Sequence, residues 1–134
     1  MPIKLDTEHI RTVAAFERLT GVYVKDCIVY ETDAYFLIEP DRMGLVIGKN
    51  GETIRNVKNV LGKEVKVFEY GDTVEKLIKN MISNVKNIEI NNGMITVTVP
   101  PSQKSMVIGK NGKNIKVIKE FLHRHFHIKM LRLK

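Results

Sequence analysis

The sequence predicts an α+β protein of α/β layers, in which two small units each form a three-stranded mixed sheet covered on one face by helices. The first observation behind this prediction is a repeat. Val46-Ile47-Gly48-Lys49-Asn50-Gly51 recurs unchanged as Val107-Ile108-Gly109-Lys110-Asn111-Gly112, an offset of 61 positions from 46 to 107. The second is that helical and strand periodicities alternate in the same order in both copies. We therefore predict two duplicated units, residues 1–70 and 71–134.

The second copy begins with a predicted amphipathic helix. Asp72 or Thr73 provides its N-cap, because either side chain can accept a hydrogen bond from a first-turn amide. The apolar residues that follow have the spacing of one buried helical face; they are Val74, Leu77, Ile78, Met81, Ile82 and Val85.

A predicted β-hairpin follows this helix. A short strand over residues 87–90 leads to Asn91-Asn92-Gly93, residues that tolerate positive φ in a tight turn. The β-branched run Met94–Val99 forms the return strand. Pro100-Pro101 ends it, because proline has no amide hydrogen to donate.

Two helices joined by the Gly109–Gly112 loop are predicted next. Ser102, like Asp41 in the first copy, is expected to cap a short helix, here over residues 103–108. A longer helix runs from the loop to about Leu122, with Ile115, Ile118, Phe121 and Leu122 on its buried face. Finally, Phe126, Ile128 and Met130 alternate as in a closing strand.

The first copy has the same order of elements. A helix near residues 7–20 ends at Gly21, strands are predicted near residues 22–30 and 34–39, and Val65-Lys66-Val67 belongs to the last strand. Because two helices connect the second strand of each unit to the third, these strands should be parallel. Units of about sixty residues are marginally stable alone, so we expect the two to pack together.

Composition restricts the class of protein. The chain has no run of roughly 18 apolar residues that could span a membrane, and residues 1–6 lack the basic-then-apolar layout of a secretory signal. Cys27 is the only cysteine, which excludes an internal disulfide and a zinc site of cysteines. We expect a cytoplasmic protein with no membrane partner and no cofactor.

The net charge of +7 is unevenly distributed along the chain. Residues 1–70 contain ten Lys and Arg against eleven Asp and Glu, a net charge of −1, and residues 71–134 contain twelve against four, a net charge of +8. A basic half favours a polyanionic partner such as nucleic acid, because Lys and Arg neutralise phosphates. The alternative is a charged surface that only keeps the protein dissolved.

The Gly-Lys-Asn-Gly loops have the chemistry of a phosphate-binding turn. Glycine at both ends allows positive φ and leaves no Cβ between a phosphodiester and the backbone. The helix after each loop presents free amides and its positive dipole end to an anion. A tight helix–helix turn would also use Gly and Asn. Two identical copies, each with a Lys in the loop and with Arg55 or Lys116 one turn further on, favour the binding role.

Helix–Gly-x-x-Gly–helix between two strands resembles the KH domain, whose loop clamps about four nucleotides. A helix before the strands and a chain that ends directly after a strand are typical of type II KH domains. The whole chain resembles the archaeal-type NusA family of transcription termination/antitermination proteins. The residues that carry this resemblance are the two loops, the helix exit Leu61-Gly62-Lys63-Glu64-Val65, and Arg124-His125-Phe126 before the last strand.

The resemblance implies that both loops bind single-stranded RNA, from a nascent transcript or ribosomal RNA, with bases in a groove between the loop-flanking helices and the last strand. Phe68, His127 and Lys129 could then contact base edges. We expect a monomer. The expected RNA-binding residues are Ile47, Gly48, Lys49, Asn50, Gly51, Arg55, Lys66, Ile108, Gly109, Lys110, Asn111, Gly112, Lys113 and Lys116.

RNA polymerase is a further partner that the resemblance implies. Bacterial members of the family carry a polymerase-binding N-terminal domain and an S1-type barrel, and the sequence contains neither. A ribosome-assembly or RNA-processing factor of the KH type is the main alternative function, with the same fold and another RNA ligand. A small NTPase and a protein-interaction module are further alternatives. Phosphate release from a nucleotide would identify the NTPase. Competition of RNA with a protein partner would separate the interaction module from an RNA-binding protein.

Other candidate sites are weaker. The stretch Gly44–Asn50 has three residues between its glycines where a P-loop has four, and it lacks the Ser or Thr that binds Mg²⁺. His123, His125 and His127 alternate, but Glu120 is the one carboxylate near them, so we assign no metal site. We find no nucleophile–base pair or carboxylate pair and therefore expect no enzyme.

Overall fold

The computed structural model describes residues 7–134 of the chain. Residues 1–6, on which we based the expectation of no secretory signal, lie outside the described residues. The chain divides into two compact units, Met1–Tyr70 and Gly71–Lys134. No helix within residues 7–134 is long and apolar enough to cross a membrane.

The first unit follows the predicted order of elements. The helix α1 ends as predicted at Gly21, which has φ 72° and donates its amide to the Glu17 carbonyl. Gly62 ends α3 in the same left-handed conformation. The elements are α1 Thr7–Thr20, β1 Val24–Val29, β2 Asp33–Ile38, α2 Met43–Ile47, a 3₁₀ turn Lys49–Gly51, α3 Glu52–Leu61 and β3 Glu64–Glu69.

The sheet of the first unit has the order β1-β2-β3. β1 and β2 are antiparallel, and β2 and β3 are parallel, as the helical crossover predicted. Alternate strand residues face the helices, so Phe36 stacks on Phe16 of α1 with a ring-centroid distance of 4.0 Å. Val46 of α2, Val57 of α3 and Cys27 of β1 belong to the same buried core.

The side chain of Lys63 links three parts of the first unit. Its side chain is 8% exposed, and its Nζ donates to the carbonyls of Tyr30 and Glu31 at 2.7 and 2.6 Å. The same ammonium lies 3.4 Å from the Glu8 carboxylate of α1. A single side chain thus joins the α3–β3 connection to the β1–β2 turn and to α1.

The second unit repeats this architecture. Thr73 caps the first helix as predicted, because its side chain accepts a hydrogen bond from the Lys76 amide. The hairpin turn also forms as predicted, with φ of 52° at Asn92 and 79° at Gly93. The elements are α4 Val74–Met81, β4 Asn87–Asn91, β5 Met94–Thr98, a 3₁₀ turn Pro101–Gln103, α5 Lys104–Ile108, a 3₁₀ turn Lys110–Gly112, α6 Lys113–Phe126 and β6 Met130–Leu133.

The sheet of the second unit has the order β4-β5-β6, with β5 and β6 parallel. One face is buried beneath the helices and includes Ile95 and its strand partner Leu131. On the other face, Met94 and its partner Met130 are exposed. Helices therefore cover one face of this sheet, as predicted. The helical part of the core includes Leu77, Ile78, Met81, Val107, Val117, Ile118, Phe121 and Leu122.

Three details differ from the sequence predictions. Asp41 and Ser102 do not cap the short helices: Asp41 has φ 66° and precedes the N-cap Arg42, and Ser102 lies inside a 3₁₀ turn. Val85 does not continue α4, because Ile82 is already extended. In α6, Val117 is fully buried and Ile115 only half-buried, because the buried face lies to one side of the predicted one.

The largest difference from the sequence prediction is at the end of the second unit. The predicted closing strand forms and contains Met130, but its predicted start is wrong: Phe126 is the last residue of α6, Ile128 lies between helix and strand, and β6 begins only at Met130. His127 ends α6 with φ 57°, a conformation that usually selects Gly. Arg124-His125-Phe126 therefore belongs to the helix and does not lead directly into the strand.

Candidate nucleic-acid interface

The two Gly-Lys-Asn-Gly loops have nearly the same backbone conformation. The first glycine has φ 74° and ψ 176° at Gly48, and φ 76° and ψ 173° at Gly109, a region that only glycine populates readily. The asparagines are left-handed, with φ 54° at Asn50 and 58° at Asn111. The sequence repeat is therefore also a repeat of an unusual loop geometry.

The first glycine of each loop is required by packing as well as by φ. A Cβ on Gly48 would overlap the side chain of Thr53 and lie 2.9 Å from its amide nitrogen. A Cβ on Gly109 would lie 2.6 Å from the Cβ of Asn114. The start of each loop therefore packs directly against the first turn of the following helix.

The second glycine of each loop faces open space. A Cβ on Gly112 would meet nothing within 4 Å, and one on Gly51 would meet only Arg55 Nη1, at 3.6 Å. Each glycine is also the N-cap of the long helix, so no side chain accepts from the first-turn amides at that position. The open surface and the uncapped helix start leave room for an anionic group.

Within each unit, the predicted loop residues lie at the surface. Lys49, Asn50, Lys110 and Asn111 are exposed. The residues before each loop alternate in burial: Val46 and Val107 are buried, whereas Ile47 is 44% exposed and Ile108 is 42% exposed. Each loop therefore has an exposed apolar side chain two residues before its exposed lysine, a combination that suits a base next to its phosphate.

The charges around the two loops differ. The first loop is followed by Glu52 at the start of α3, which offsets part of the charge of Lys49 and Arg55. At the second loop, lysines occur at every third position, as Lys110, Lys113, Lys116 and Lys119. The second loop is therefore the more strongly basic one.

A shallow cavity of about 420 Å³ lies between α6 and the start of β6. Its helical wall holds Lys116, Lys119, Glu120 and His123, and residues 128–131, which include Lys129, form the other wall. Glu120 accepts a hydrogen bond from Arg124 Nε at 3.0 Å. The cavity occupies the place where the sequence resemblance implied a groove between helix and last strand.

Several predicted groove residues lie elsewhere. Lys66 is exposed on β3, and alternation with the core residues Val65 and Val67 places it on the sheet face away from α2 and α3. Phe68 is buried, and His127 is the C-cap of α6. Lys119 and His123 line the cavity but are not among the expected RNA-binding residues; the sequence signal for His123 is that it stands, in the repeat register, where the first unit has the helix-ending Gly62.

Several known proteins are similar to this chain in sequence and in fold. A model of the KH domain matches residues 10–87, and a model of the NusA-like second KH domain matches residues 74–133. The chain is 31% identical over 121 residues to the probable transcription termination protein NusA of Methanococcus vannielii, covering 86% of this chain and 70% of the relative. It is 30% identical to the protein of the same name from Halobacterium salinarum, with 99% of each chain covered.

Among solved structures, the crystal structure of APE1850 superposes with a TM-score of 0.75 at 29% sequence identity, covering 93% of this chain and 96% of that one. The family models, the relatives and the two mixed sheets therefore all indicate a chain of KH domains. The chain belongs to the archaeal NusA-like family of RNA-binding KH proteins.

Proposed function

We propose that this protein binds single-stranded RNA through Gly48–Gly51 and Gly109–Gly112, and that it acts on nascent transcripts in termination or antitermination. The observation that carries the proposal is the twofold occurrence of one loop geometry, in which a glycine-only conformation presents exposed Lys and Asn side chains beside an uncapped helix start. Such a loop holds phosphates of the RNA backbone, and the helix–strand groove beside it takes the bases.

The names of the relatives support the part of the proposal that concerns transcription. They are called probable transcription termination proteins, and the chain aligns with them over most of its length. RNA polymerase is a proposed further partner on the same ground. The basic second unit supports a nucleic-acid ligand independently of the names, because its net charge of +8 favours a polyanion.

The test is a titration of fluorescent single-stranded RNA, single-stranded DNA of the same sequence and duplex RNA. The wild type is compared with a variant in which Lys49, Asn50, Lys110 and Asn111 are all changed to Asp. A control variant carries Asp at Lys79, Lys86, Asn87 and Asn91, which makes the same four substitutions at exposed positions outside both loops. Circular dichroism checks that both variants are folded.

We expect the wild type and the control variant to prefer single-stranded RNA, and the loop variant to lose at least about tenfold in affinity. If the folded loop variant binds RNA as tightly as the control variant, the loops are only turns and the proposal fails. A role in termination is then tested separately, by adding the protein to transcription by the cognate RNA polymerase and measuring read-through at a terminator.

A further inference from the structure

The first helix of the second unit is shorter than the first helix of the first unit. Both helices end at the same place in the repeat, at Thr20 and Met81, but α1 has 14 residues and α4 has 8. The first six residues of α1, Thr7–Thr12, therefore have no helical counterpart in the second unit. Since a helix rises about 1.5 Å per residue, α4 is about 9 Å shorter.

Strand β4 is also less covered than its counterpart β1. Cys27 and Val29 of β1 are 4% and 0% exposed. The matching residues of the repeat are Ile88, which is half-buried, and Ile90, which is 47% exposed. Because the sheet order β4-β5-β6 places β4 at an edge, Ile90 is an exposed apolar side chain on an edge strand.

The edge strand β1 of the first unit is protected by neighbouring side chains. The Val24 amide donates to the Glu17 carboxylate and the Cys27 amide donates to Asp26 Oδ1, both at 2.8 Å. The pairing of β1 with β2 also shifts register between Val24 and Asp26. Occupied amides and an irregular strand both hinder pairing with a further strand.

β4 has neither protection. It pairs with β5 in one continuous register from Asn87 to Asn91. Asn87 stands where the first unit has Asp26, but its side-chain amide donates to Glu89 Oε1 at 3.3 Å. Within residues 7–134, no side chain accepts a hydrogen bond from an amide of β4.

The main-chain groups of Ile88 and Ile90 point out of the sheet. The N–H and C=O groups of successive strand residues alternate between the two sides. Tyr30 donates its amide to Asp33 across the β1–β2 turn, so Cys27, three residues earlier, points away from β2. Because β4 pairs with β5 in the same register, Ile88 and Ile90 offer their N–H and C=O groups to a further strand.

A second copy of the chain fits this edge. If two β4 strands pair antiparallel with Ile90 opposite Ile90 of the second copy, each exposed side chain covers the other and the two residues exchange main-chain hydrogen bonds. The same register places Glu89 opposite Asn91 of the second copy, where the side-chain amide can donate to the carboxylate. A register centred on Glu89 would place two carboxylates opposite each other, which is destabilising.

We propose that two copies of this protein associate through antiparallel pairing of β4, with Ile90 at the two-fold axis and Glu89 beside Asn91 of the second copy. The sequence alone led us to expect a monomer, and the edge strand revises that expectation. A contact between two short strands is small, so the dimer is weak and forms at about 0.1–1 mM. Each chain has a net charge of +7, and salt screens the repulsion between them. Dimerisation therefore strengthens with salt, whereas RNA binding weakens.

Sedimentation equilibrium of the full chain without RNA, at about 0.02–1 mM, measures the dissociation constant of the dimer. Ile90→Lys should weaken dimerisation by at least about tenfold, because two ammonium groups would replace the apolar pair. Ile10→Lys makes the same substitution at a 59% exposed position of α1 and should leave the constant within about twofold. Circular dichroism checks that both variants are folded.

A second pair of variants tests the register. N91D places a new carboxylate opposite Glu89 and should weaken dimerisation by about tenfold. E89N/N91D exchanges the amide and the carboxylate between the two positions and should return the dissociation constant to within about threefold of the wild type. A chain that stays monomeric over the whole concentration range, equal losses from I90K and I10K, or no recovery in E89N/N91D would overturn the inference. None of these outcomes bears on RNA binding by the loops.

Discussion

The side-chain amide of Asn114 donates a hydrogen bond to the main-chain carbonyl of Val107 at 2.9 Å. This bond joins α6 to α5 across the Gly109–Gly112 loop, and Asn114 is 6% exposed. In the first unit the matching residue is Thr53, which is half-buried and lies against Gly48. Thr53 and Asn114 thus each pack against the first glycine of their loop, and Asn114 also holds the second loop by its hydrogen bond, while the loop Lys and Asn stay exposed.

Replacing Asn114 by Ala should lower the free energy of unfolding by about 1–3 kcal/mol, because a buried carbonyl loses its donor. Urea denaturation followed by circular dichroism measures this change. Asn56→Ala, at an exposed position of α3, is the control and should cost less than about 0.5 kcal/mol. Equal costs for the two substitutions would show that the bond to Val107 does not stabilise the loop.

The two glycines of a loop should respond differently to Ala. G51A and G112A should cost about 1–2 kcal/mol, the cost of a left-handed conformation in a residue with a Cβ. G48A and G109A should cost more, because their Cβ atoms would also overlap the next helix. Thermal unfolding of the four single variants gives the comparison. A smaller loss for G48A than for G51A would contradict the packing described for the loop.

Charge reversal should affect the two loops unequally. K110D should weaken RNA binding by about tenfold and K49D by about threefold, because the second loop is the more basic one and Lys49 has Glu52 nearby in sequence. Glu52→Lys should then strengthen binding through the first loop by a few-fold. Fluorescence anisotropy at one fixed salt concentration measures all three. Equal losses of RNA affinity from K49D and K110D would contradict the larger electrostatic contribution of the second loop.

Lys63→Met should destabilise the first unit by about 1.5–3 kcal/mol. The substitution keeps most of the apolar stem but removes the charged donor to the Tyr30 and Glu31 carbonyls. Lys58→Met, in α3 of the same unit, is the matched control and should change stability by less than about 0.5 kcal/mol. Amide hydrogen exchange in β1 and β2 reports the loss, and unchanged exchange there would refute the role of Lys63.

Sequence periodicity predicted the order of elements, and the helical crossover predicted that the second and third strands of each sheet are parallel. It did so because helix and strand faces had to be apolar to cover one another, as Phe36 and Phe16 do. The repeat also located both loops, because the backbone conformation at Gly48 and Gly109 requires glycine at the same position of both copies.

The features that the sequence did not predict depend on backbone conformations and tertiary contacts, which the local pattern of residue types does not show. The end of α6 was missed because His127 adopts a left-handed conformation without being Gly, and because Phe126, Ile128 and Met130 alternate like a strand. Asp41 has the side chain of a helix cap but is used for a left-handed turn. The cavity between α6 and β6 includes His123 of the added helical turn, and comparison of His123 with Gly62 was the one sequence signal for it.

The most direct test of the central claim is a map of the residues that contact RNA. Amide chemical shifts of the ¹⁵N-labelled protein are recorded while single-stranded RNA is added. The account predicts that the largest changes occur at Gly48–Gly51 and Gly109–Gly112 and along the first turns of α3 and α6. Changes confined to the open face of the second sheet, around Met94 and Arg132, with both loops unaffected, would contradict it.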